Sequence, residues 1–443
     1  MASSQLALLG GPKAVSRDPG DLFTWPIITR EDETAVLDVL HRRAMSGSDV
    51  TMLFEREFAA WQGRKFALGF SNGTASIQAA MFACGVGVGD EIITQSMTYW
   101  ATCLQAFSLG ATMVFAEIDP HTLTIDPADI EHRITKRTKA IVVVHYLGHP
   151  ADMDPIMAIA RKHGVKVIED VSHAQGGLYK GRKVGTIGDV AAMSLMTGKS
   201  LAVGEAGILV TDERPLYERA LALGHYERFD DTIESPDLRP WIGLPLGGYK
   251  YRMHQMSSAV GRVQLAHYDE RIAEIQKAMN RFWDRLEGTP GIVAHRPAKG
   301  SGSTMGGWYA AHGLYRPESL GGLSVTRFCE ALRAEGVMEA SPGANLPLHL
   351  HPLFNDADVY GHGKPTRIAH SDRDLRQLPG SLPVTEAASA RVIWIPWFKK
   401  FQPDLIEQYV DAYRKVSANH RELLAGDTGN PPEVGGWHFF KRR

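Results

Sequence analysis

Short apolar runs alternate with helical segments over the first two-thirds of the chain, and this alternation limits the chain to a few folds. The runs are Glu91–Thr94, Met113–Ala116, Ala140–Val144, Val165–Ile168 and Gly207–Val210. Continuous runs of this kind are typical of strands that are buried on both faces. Strands that alternate with helices at this spacing form a mostly parallel sheet with helices on both sides. The sequence therefore predicts an α/β fold with a large domain built on such a sheet.

Two of the helices between these strands carry clear start signals. Asp126 and the proline after it precede Ala128–Ile134, and Asp154 with Pro155 precedes Ile156–His163. An acidic cap followed by a first-turn proline is typical of a helix N-terminus, and the glycine at 164 is typical of a helix end. We therefore expect Asp126 and Asp154 to cap their helices.

The remaining patterns divide the chain into four segments. We expect an N-terminal arm over residues 1–30, a large domain over 31–286, a smaller C-terminal α+β domain over 287–425 and a tail over 426–443. A helical stretch, His254–Leu286, should lead from the large domain to the smaller one. In the smaller domain we expect a strand at Trp308–Leu314, helices at Val325–Glu335 and Asp404–Val416, and a loop at Ser341–Leu382.

Composition excludes several classes of protein. The 443 residues have a formal net charge of −2, which gives no electrostatic reason to expect a nucleic-acid or membrane partner. No apolar run is long enough to cross a bilayer. The three cysteines, Cys84, Cys103 and Cys329, are far apart and form no CxxC pair. We therefore expect a cytoplasmic protein without disulfides.

In open parallel sheets, ligands bind beyond the carboxyl ends of the strands, so the residues that follow each strand are candidate site residues. The segment Phe70–Ser76 leads into an apolar helix with small residues, and Thr74 and Ser76 add hydroxyls. Such a helix start can hold a phosphate on free backbone N–H groups, although an ordinary N-cap has the same composition. Tyr99 follows another strand and could stack on a flat cofactor or belong to the core.

Two charged residues stand out at the ends of later strands. Asp170 follows a buried strand, where a carboxylate needs a positive partner such as a protonated ring nitrogen, or else serves as a loop acid or helix cap. Lys199 lies in a small polar turn, where a partly desolvated amine can form a Schiff base, although most lysines are simply solvated. The Gly-Lys-Ser triplet is not a P-loop, because Met193 stands where that motif needs glycine.

Taken together, these motifs resemble the DegT–StrS type sugar aminotransferases, which have the fold type I of aspartate aminotransferase. The resemblance extends from about Trp25 to Val416. It depends on Ser71–Ala75, Ile168–Gly176, Ser194 with Lys199, Gly204–Gly207 and Gly248–Met253. The resemblance implies pyridoxal 5′-phosphate (PLP, or its aminated form PMP) as cofactor and a homodimer with shared active sites.

The resemblance also implies a role for each matched residue. Lys199 matches the Schiff-base lysine, Asp170 the acid that pairs with the pyridine nitrogen, and His173 a residue beside the ring. Tyr99 matches the aromatic residue that stacks on the cofactor. Further cofactor contacts are implied for Gly73, Thr74, Ala75, Ser194 and Lys250, and substrate contacts for Tyr251, Arg252 and His349. No metal site is expected, because the histidines near His349 are irregularly spaced.

The predicted activity is transfer of an amino group from glutamate or glutamine to a keto-sugar or keto-cyclitol. The resemblance implies that Lys199 moves a proton between the substrate carbon and the cofactor, while Asp170 keeps the pyridine ring protonated. Phe54–Ala59 and the opening Leu6–Pro12 resemble members that act on cyclitols. The alternatives are a sugar dehydratase with the same cofactor, in which a histidine replaces the lysine, an enzyme like AHBA synthase, and a regulatory protein that binds PLP without turnover.

Overall fold

The computed structural model describes residues 5–228, 232–432, 434 and 436. Within them the chain forms a large sheet, a small antiparallel sheet and a short hairpin. The strands are β1 Phe66–Phe70, β2 Glu91–Gln95, β3 Thr112–Ala116, β4 Thr138–Val144, β5 Lys166–Asp170, β6 Leu178–Tyr179, β7 Arg182–Lys183, β8 Val190–Ser194, β9 Gly207–Thr211, β10 Ile292–Ala294, β11 His312–Tyr315, β12 Ser341–Pro342 and β13 Val392–Trp394.

The helices of the described residues surround these sheets. They are α1 Arg30–His41, α2 Asp49–Gln62, α3 Gly73–Ala83, α4 Pro127–Arg133, α5 Met153–His163, α6 Arg214–Gly224, α7 Gln255–Ala266, α8 Tyr268–Leu286, α9 Val325–Ala334, α10 Pro352–Asn355, α11 Pro383–Ala388, α12 Pro403–Ala418 and α13 Arg421–Leu424. None of them is both long and apolar enough to span a membrane.

The large sheet has seven strands in the order β1-β9-β8-β5-β4-β2-β3. β9 is antiparallel to β1 and β8, whereas the other pairs are parallel. Alternate side chains pack into separate apolar clusters on the two faces, one with α3 and α6 and the other with α2 and α5. The expected α/β fold with a mostly parallel sheet is confirmed, because burial on both faces requires the continuous apolar runs seen in the sequence.

One of the two predicted caps is correct. The Asp126 carboxylate accepts a hydrogen bond from the backbone N–H of Ala128. The prediction for Asp154 is wrong, because α5 begins at Met153 with Asp152 at the N-cap position. The carboxylate of Asp154 lies in the first turn and instead pairs with Lys180 and Arg182 on the hairpin.

The helical stretch at 254–286 is two helices rather than one. His267 separates α7 from α8 with φ −101° and ψ 1°, which breaks the helical hydrogen bonding. The expected strand at 308–314 is also shorter, because Trp308 and Ala310 have positive φ and only 312–315 is extended. The segment at 341–382 is mostly loop, as expected, with a few very short elements.

The small sheet and the N-terminal residues share one core. β10, β11, β13 and β12 pair antiparallel in that order, and their cluster includes residues from α8, α9 and α12. Leu6, Val15 and Leu22 are buried in the same cluster. The backbone N–H of Ala7 also donates to Glu335 at the end of α9. The segment before α1 is therefore packed against the C-terminal part of the chain.

Candidate active site

Strand β5 ends with two carboxylates, Glu169 and Asp170. Their side chains lie on opposite faces of the sheet, because successive side chains of a strand alternate between its faces. Glu169 accepts from the backbone N–H groups of Gly185, Ile187 and Gly188 and pairs with His145 at 3.0 Å. These bonds fix the loop before β8. Asp170, 4% exposed, faces the other way, towards the carboxyl end of the sheet. Only Asp170 is therefore placed to meet a ligand there.

Asp170 is held by two hydrogen bonds. Its Oδ2 accepts from Thr102 Oγ1 at 2.9 Å, and its Oδ1 accepts from the backbone N–H of Ser172 at 3.0 Å. Thr98 supports Thr102 through a bond of 3.0 Å between the two hydroxyls. Within the described residues no cation pairs with Asp170. A buried carboxylate of this kind remains poorly compensated until a positive group meets it.

Lys199 lies in a tight turn after β8 and is 7% exposed. Its backbone N–H donates to Met196 O at 2.8 Å, and its carbonyl accepts from the Trp25 indole at 2.9 Å. The Nζ atom lies 4.0 Å from the ring centroid of Tyr309. No carboxylate in the described part of the chain forms an ion pair with this amine. It is thus a buried amine with an aromatic neighbour, as a Schiff-base lysine requires.

Three hydrogen bonds join the loop after Asp170 to the turn that carries Lys199. Ser194 N–H donates to Ser172 Oγ at 2.9 Å, and Gln175 Nε2 donates to Ser194 O at 2.7 Å. The Ser200 hydroxyl donates to Gln175 Oε1 at 2.8 Å. Because both loops leave neighbouring strands at the same end of the sheet, the residues around 170 and 199 face one site.

His173 lies between the rings of Tyr146 and Tyr309, at centroid distances of 5.7 and 4.8 Å. Its Nδ1 accepts from the backbone N–H of Leu147 at 3.2 Å. Burial, together with the nearby Lys199 ammonium, lowers the pKa of His173 well below its usual range. The ring is therefore neutral at pH 7, and with Nδ1 accepting, its proton is on Nε2.

The start of α3 meets β8 at the proposed phosphate position. The Asn72 side chain caps the helix by accepting from Ala75 N–H at 2.8 Å, so that group is already used. The N–H groups of Gly73 and Thr74 have no partner within the helix, as is general for first-turn residues. A Cβ at residue 73 would lie 2.6 Å from the Ser194 Cβ, so only glycine allows this approach.

Tyr99 lies near the same site. It is partly buried beside Trp100, with ring centroids 5.0 Å apart, and it precedes the short helical turn that carries Thr102. Burial raises the pKa of its hydroxyl, and the nearby Tyr309 and Glu205 act in the same direction. Because Thr102 of this turn bonds to Asp170, Tyr99 lies at the same end of the sheet as Asp170.

The backbone of the segment from Lys250 to Arg252 is bonded to Ser71, in the turn before α3 where we expect the phosphate (the phosphate turn). The carbonyl of Tyr251 accepts from Ser71 N–H at 2.8 Å, and the Tyr251 hydroxyl donates to Gln78 at 2.5 Å. Arg252 contacts the Ser46 carbonyl and Glu227. Lys250 is exposed. The structure thus places these side chains against their own helices and surface, not with Asp170 and Lys199.

His349 does not have a free ring nitrogen for a substrate. It is fully buried, with Nδ1 bonded to Ser96 Oγ at 2.8 Å and Nε2 bonded to Glu386 at 3.0 Å. The first bond ties the segment after β12 to the residue that follows β2, and the second ties it to α11. Both ring nitrogens are thus paired within the chain, as is usual for a buried histidine, and the substrate contact expected for His349 stays a prediction.

Sequence reasoning missed three residues that shape the site. Tyr309 and Trp25 contact Lys199 from segments far along the chain, and no motif identified them. Thr102 follows Tyr99 within the segment noted at that strand end, so its proximity to the site could have been inferred. Its bond to Asp170 could not, because it joins residues 68 positions apart.

The groups present fit pyridoxal phosphate. An uncompensated carboxylate suits a protonated pyridine nitrogen, a buried amine suits the aldehyde, and a helix start beside Ser194 suits the phosphate. A model of one family matches residues 26–414, and its description is DegT/DnrJ/EryC1/StrS aminotransferase family. The chain belongs to this family. This aminotransferase is therefore an enzyme of the PLP-dependent kind, as the sequence predicted.

The relatives of this aminotransferase include enzymes that are named for a cyclitol and for a nucleotide-linked sugar. It is 34% identical over 415 residues to an L-glutamine:2-deoxy-scyllo-inosose aminotransferase of Micromonospora echinospora, covering 90% of this chain and 95% of the relative. The solved aminotransferase of Psychrobacter cryohalolentis superposes with a TM-score of 0.77 at 29% identity, covering 90% and 100% of the two chains. A structure of 3-amino-5-hydroxybenzoic acid synthase gives 0.74 at 26% identity, covering 89% and 98%.

Proposed function

We propose that this aminotransferase transfers the amino group of glutamate or glutamine to a keto-cyclitol or keto-sugar. The observation that carries the proposal is the buried Lys199 amine, which has no acidic partner among the described residues and lies beside the loop of Asp170 and His173. When bound, pyridoxal phosphate supplies a conjugated ring that accepts the electron pair of a breaking C–H bond. The chain's own side chains must then hold the reactants and move the proton.

Asp170 has the role of fixing the charge of the ring. Its two hydrogen bonds, from Thr102 and Ser172, keep the carboxylate in one orientation. An ionised carboxylate at this position raises the pKa of a ring nitrogen beside it and so keeps that nitrogen protonated. The neutral His173 adds no competing positive charge.

Lys199 has the role of the proton carrier. The amine lies on the Tyr309 ring, and its backbone is held on both sides by hydrogen bonds to Met196 and Trp25. A side chain on such a fixed turn can take a proton from one carbon and return it to another without leaving the site. The dehydratase alternative is disfavoured because it implies histidine at 199.

A keto-cyclitol is the acceptor that the relatives favour. The relative from Micromonospora echinospora is named for 2-deoxy-scyllo-inosose and glutamine, and it covers nearly all of this chain. For this protein we propose a polyhydroxylated cyclic ketone without committing to one ring. The second candidate is an activity like that of 3-amino-5-hydroxybenzoic acid (AHBA) synthase, because the solved structure of that enzyme is similar to this chain.

We further propose a homodimer with shared sites. Lys250 is exposed, and the side chains of Tyr251 and Arg252 bond to Gln78 and to the Ser46 carbonyl. An exposed segment beside the phosphate turn is suited to reach a second copy. The cytoplasmic location expected from the cysteines stays a prediction.

The test uses purified protein loaded with pyridoxal phosphate. Addition of L-glutamine or L-glutamate should convert the aldehyde form of the cofactor to its amine, followed by absorbance. A screen of keto-cyclitols and nucleotide keto-sugars should then find an acceptor that restores the aldehyde. Borohydride should link the cofactor to wild-type protein but not to Lys199→Ala. If no amino donor converts the cofactor, the regulatory alternative is correct and the proposal fails.

A further inference from the structure

A second lysine lies near the site and has no assigned role. Lys399 follows β13, is 5% exposed and donates from its backbone N–H to the Leu22 carbonyl at 2.9 Å. Within the described residues no carboxylate pairs with its ammonium group. The next residue, Lys400, is the opposite case, because it is more exposed and pairs with Asp21.

Aromatic rings connect Lys399 to Lys199. The Nζ atom of Lys399 lies over the ring of Trp397 and 5.6 Å from that of Trp25. The Trp397 ring contacts the Tyr309 ring edge-on, with the ring centroids 5.8 Å apart, and the Lys199 amine lies over the Tyr309 ring. Trp25 contacts Trp397 at 6.2 Å and donates to the Lys199 carbonyl. The two amines therefore lie on one aromatic wall that is shared by both halves of the chain.

Burial of an unpaired ammonium is unfavourable, and natural proteins rarely keep one without a use. Desolvation lowers the pKa of Lys399 well below its usual range. The Trp397 indole is itself fixed by donating to the Gly307 carbonyl at 3.0 Å, so the rings around the amine are held in place. An anion that entered here would restore the charge of Lys399 and pair with it.

The anion must come from a reactant. In an α-amino acid the amine and the carboxylate are attached to one carbon, so a donor whose amine is beside Lys199 brings its carboxylate close to the surrounding wall. The phosphate of the cofactor is expected elsewhere, at Gly73 and Ser194. We propose that Lys399 binds the carboxylate of the amino donor. This inference rests on the proposed aminotransferase function and names the residue that holds the α-carboxylate of its donor.

The first experiment measures binding without turnover. Glutarate, an unreactive dicarboxylate, is titrated by calorimetry into the PLP-loaded wild type, Lys399→Met and Lys400→Met. A charge-assisted hydrogen bond implies about 10-fold or more weaker glutarate binding to Lys399→Met. Lys400→Met should match the wild type, and Lys399→Arg should recover part of the affinity. Equal glutarate affinity of Lys399→Met and wild type would overturn the inference.

The second experiment separates the two half-reactions. Lys399→Met should lower kcat/KM with the amino donor by about 10-fold or more, mainly through KM, and leave the keto-acceptor half-reaction within about twofold. An equal loss in both half-reactions, or a loss confined to phosphate-bearing acceptors, would overturn the assignment to the donor carboxylate. If wild type converts no donor, the proposed function fails, whereas the glutarate titration still decides the role of Lys399. Matching thermal midpoints of the variants confirm that the fold is intact.

Discussion

The indole Nε1 of Trp25 donates a 2.9 Å hydrogen bond to the backbone carbonyl of Lys199, across 174 positions of sequence. The bond ties the N-terminal segment to the turn that carries Lys199. The backbone N–H of Lys199 bonds to the nearby Met196 carbonyl, and Ser200 bonds to Gln175 of the loop after Asp170, so Trp25 adds a support from outside both loops. The position of the amine thus depends on a residue outside the large sheet.

Replacement of Trp25 by Phe should remove this bond and keep most of the aromatic packing. We expect a loss of about 1 kcal/mol in the free energy of unfolding, as for a typical hydrogen bond. Because the Lys199 turn loosens, kcat of the donor half-reaction should also fall several-fold. Urea unfolding and single-turnover absorbance check the two effects. Unchanged kcat would show that the turn is rigid without Trp25.

Replacement of Thr102 by Val removes the hydroxyl that donates to Asp170. We expect about 10-fold weaker binding of pyridoxal phosphate, because hydrogen bonds to charged groups contribute about 1.5–3 kcal/mol. Thr98→Val is the matched control, since the Thr98 hydroxyl reaches only Thr102 and not the carboxylate. Cofactor affinity is measured by fluorescence titration of the apoprotein. Equal losses in both variants would contradict a specific role for the Thr102–Asp170 bond.

Acid should destabilise the fold through three buried histidines. Burial lowers the pKa of His225 and His295 to about 3 and that of His312 to about 4. The unfolded chain binds protons at these residues below pH 6.5, whereas the folded chain does not. Stability is therefore full above pH 6.5 and falls as the pH drops towards 4, by about 2 kcal/mol per histidine at pH 5.

Urea unfolding at pH 8, 6 and 5 measures this loss. His225→Gln should reduce the pH slope by about one proton, because its side chain no longer titrates. The same measurement on His121→Gln, at an exposed loop position, is the control. A slope that is identical in wild type and His225→Gln would contradict a buried neutral His225.

Gln377 protects the edge of the large sheet. Its amide accepts from Phe115 N–H at 2.9 Å and donates to Phe115 O at 2.8 Å. Since β3 is an edge strand of the large sheet, these two bonds take the place of bonds to a further strand. Gln377→Ala leaves both buried backbone groups unpaired and should cost about 2–4 kcal/mol. Gln408→Ala, which removes only exposed bonds to 16 and 17, should cost less than about 1 kcal/mol. Similar unfolding free energies for the two variants would contradict this role.

Local sequence determined the strands and which residues follow them. Buried parallel strands need continuous apolar runs, so the runs at β2, β3, β4 and β9 could be identified directly. The motifs around Asp170 and Lys199 also fall at strand ends, where a doubly wound sheet binds ligands. The family and its cofactor could therefore be predicted from these residues and the spacing between them.

The tertiary structure decided what neighbours each group has. Asp154 precedes a proline as a cap does, yet the helix begins before it, and its carboxylate pairs with two cations of the hairpin. His349 lies in a motif expected to face substrate, yet both its nitrogens are taken by Ser96 and Glu386. A local pattern specifies backbone conformation but not the partners that distant segments bring.

The same limit applies to the aromatic residues around Lys199 and Lys399. The residues around Lys399 do not separate it from Lys400, because the difference arises from contacts with Trp25 and Asp21, which belong to the distant N-terminal segment. Hydrophobic periodicity is a short-range signal, whereas desolvation and charge pairing depend on every atom nearby. The sequence by itself thus determined the sheet and the chemistry at its edge, and only packing decided which charged groups stay unpaired and able to bind a ligand.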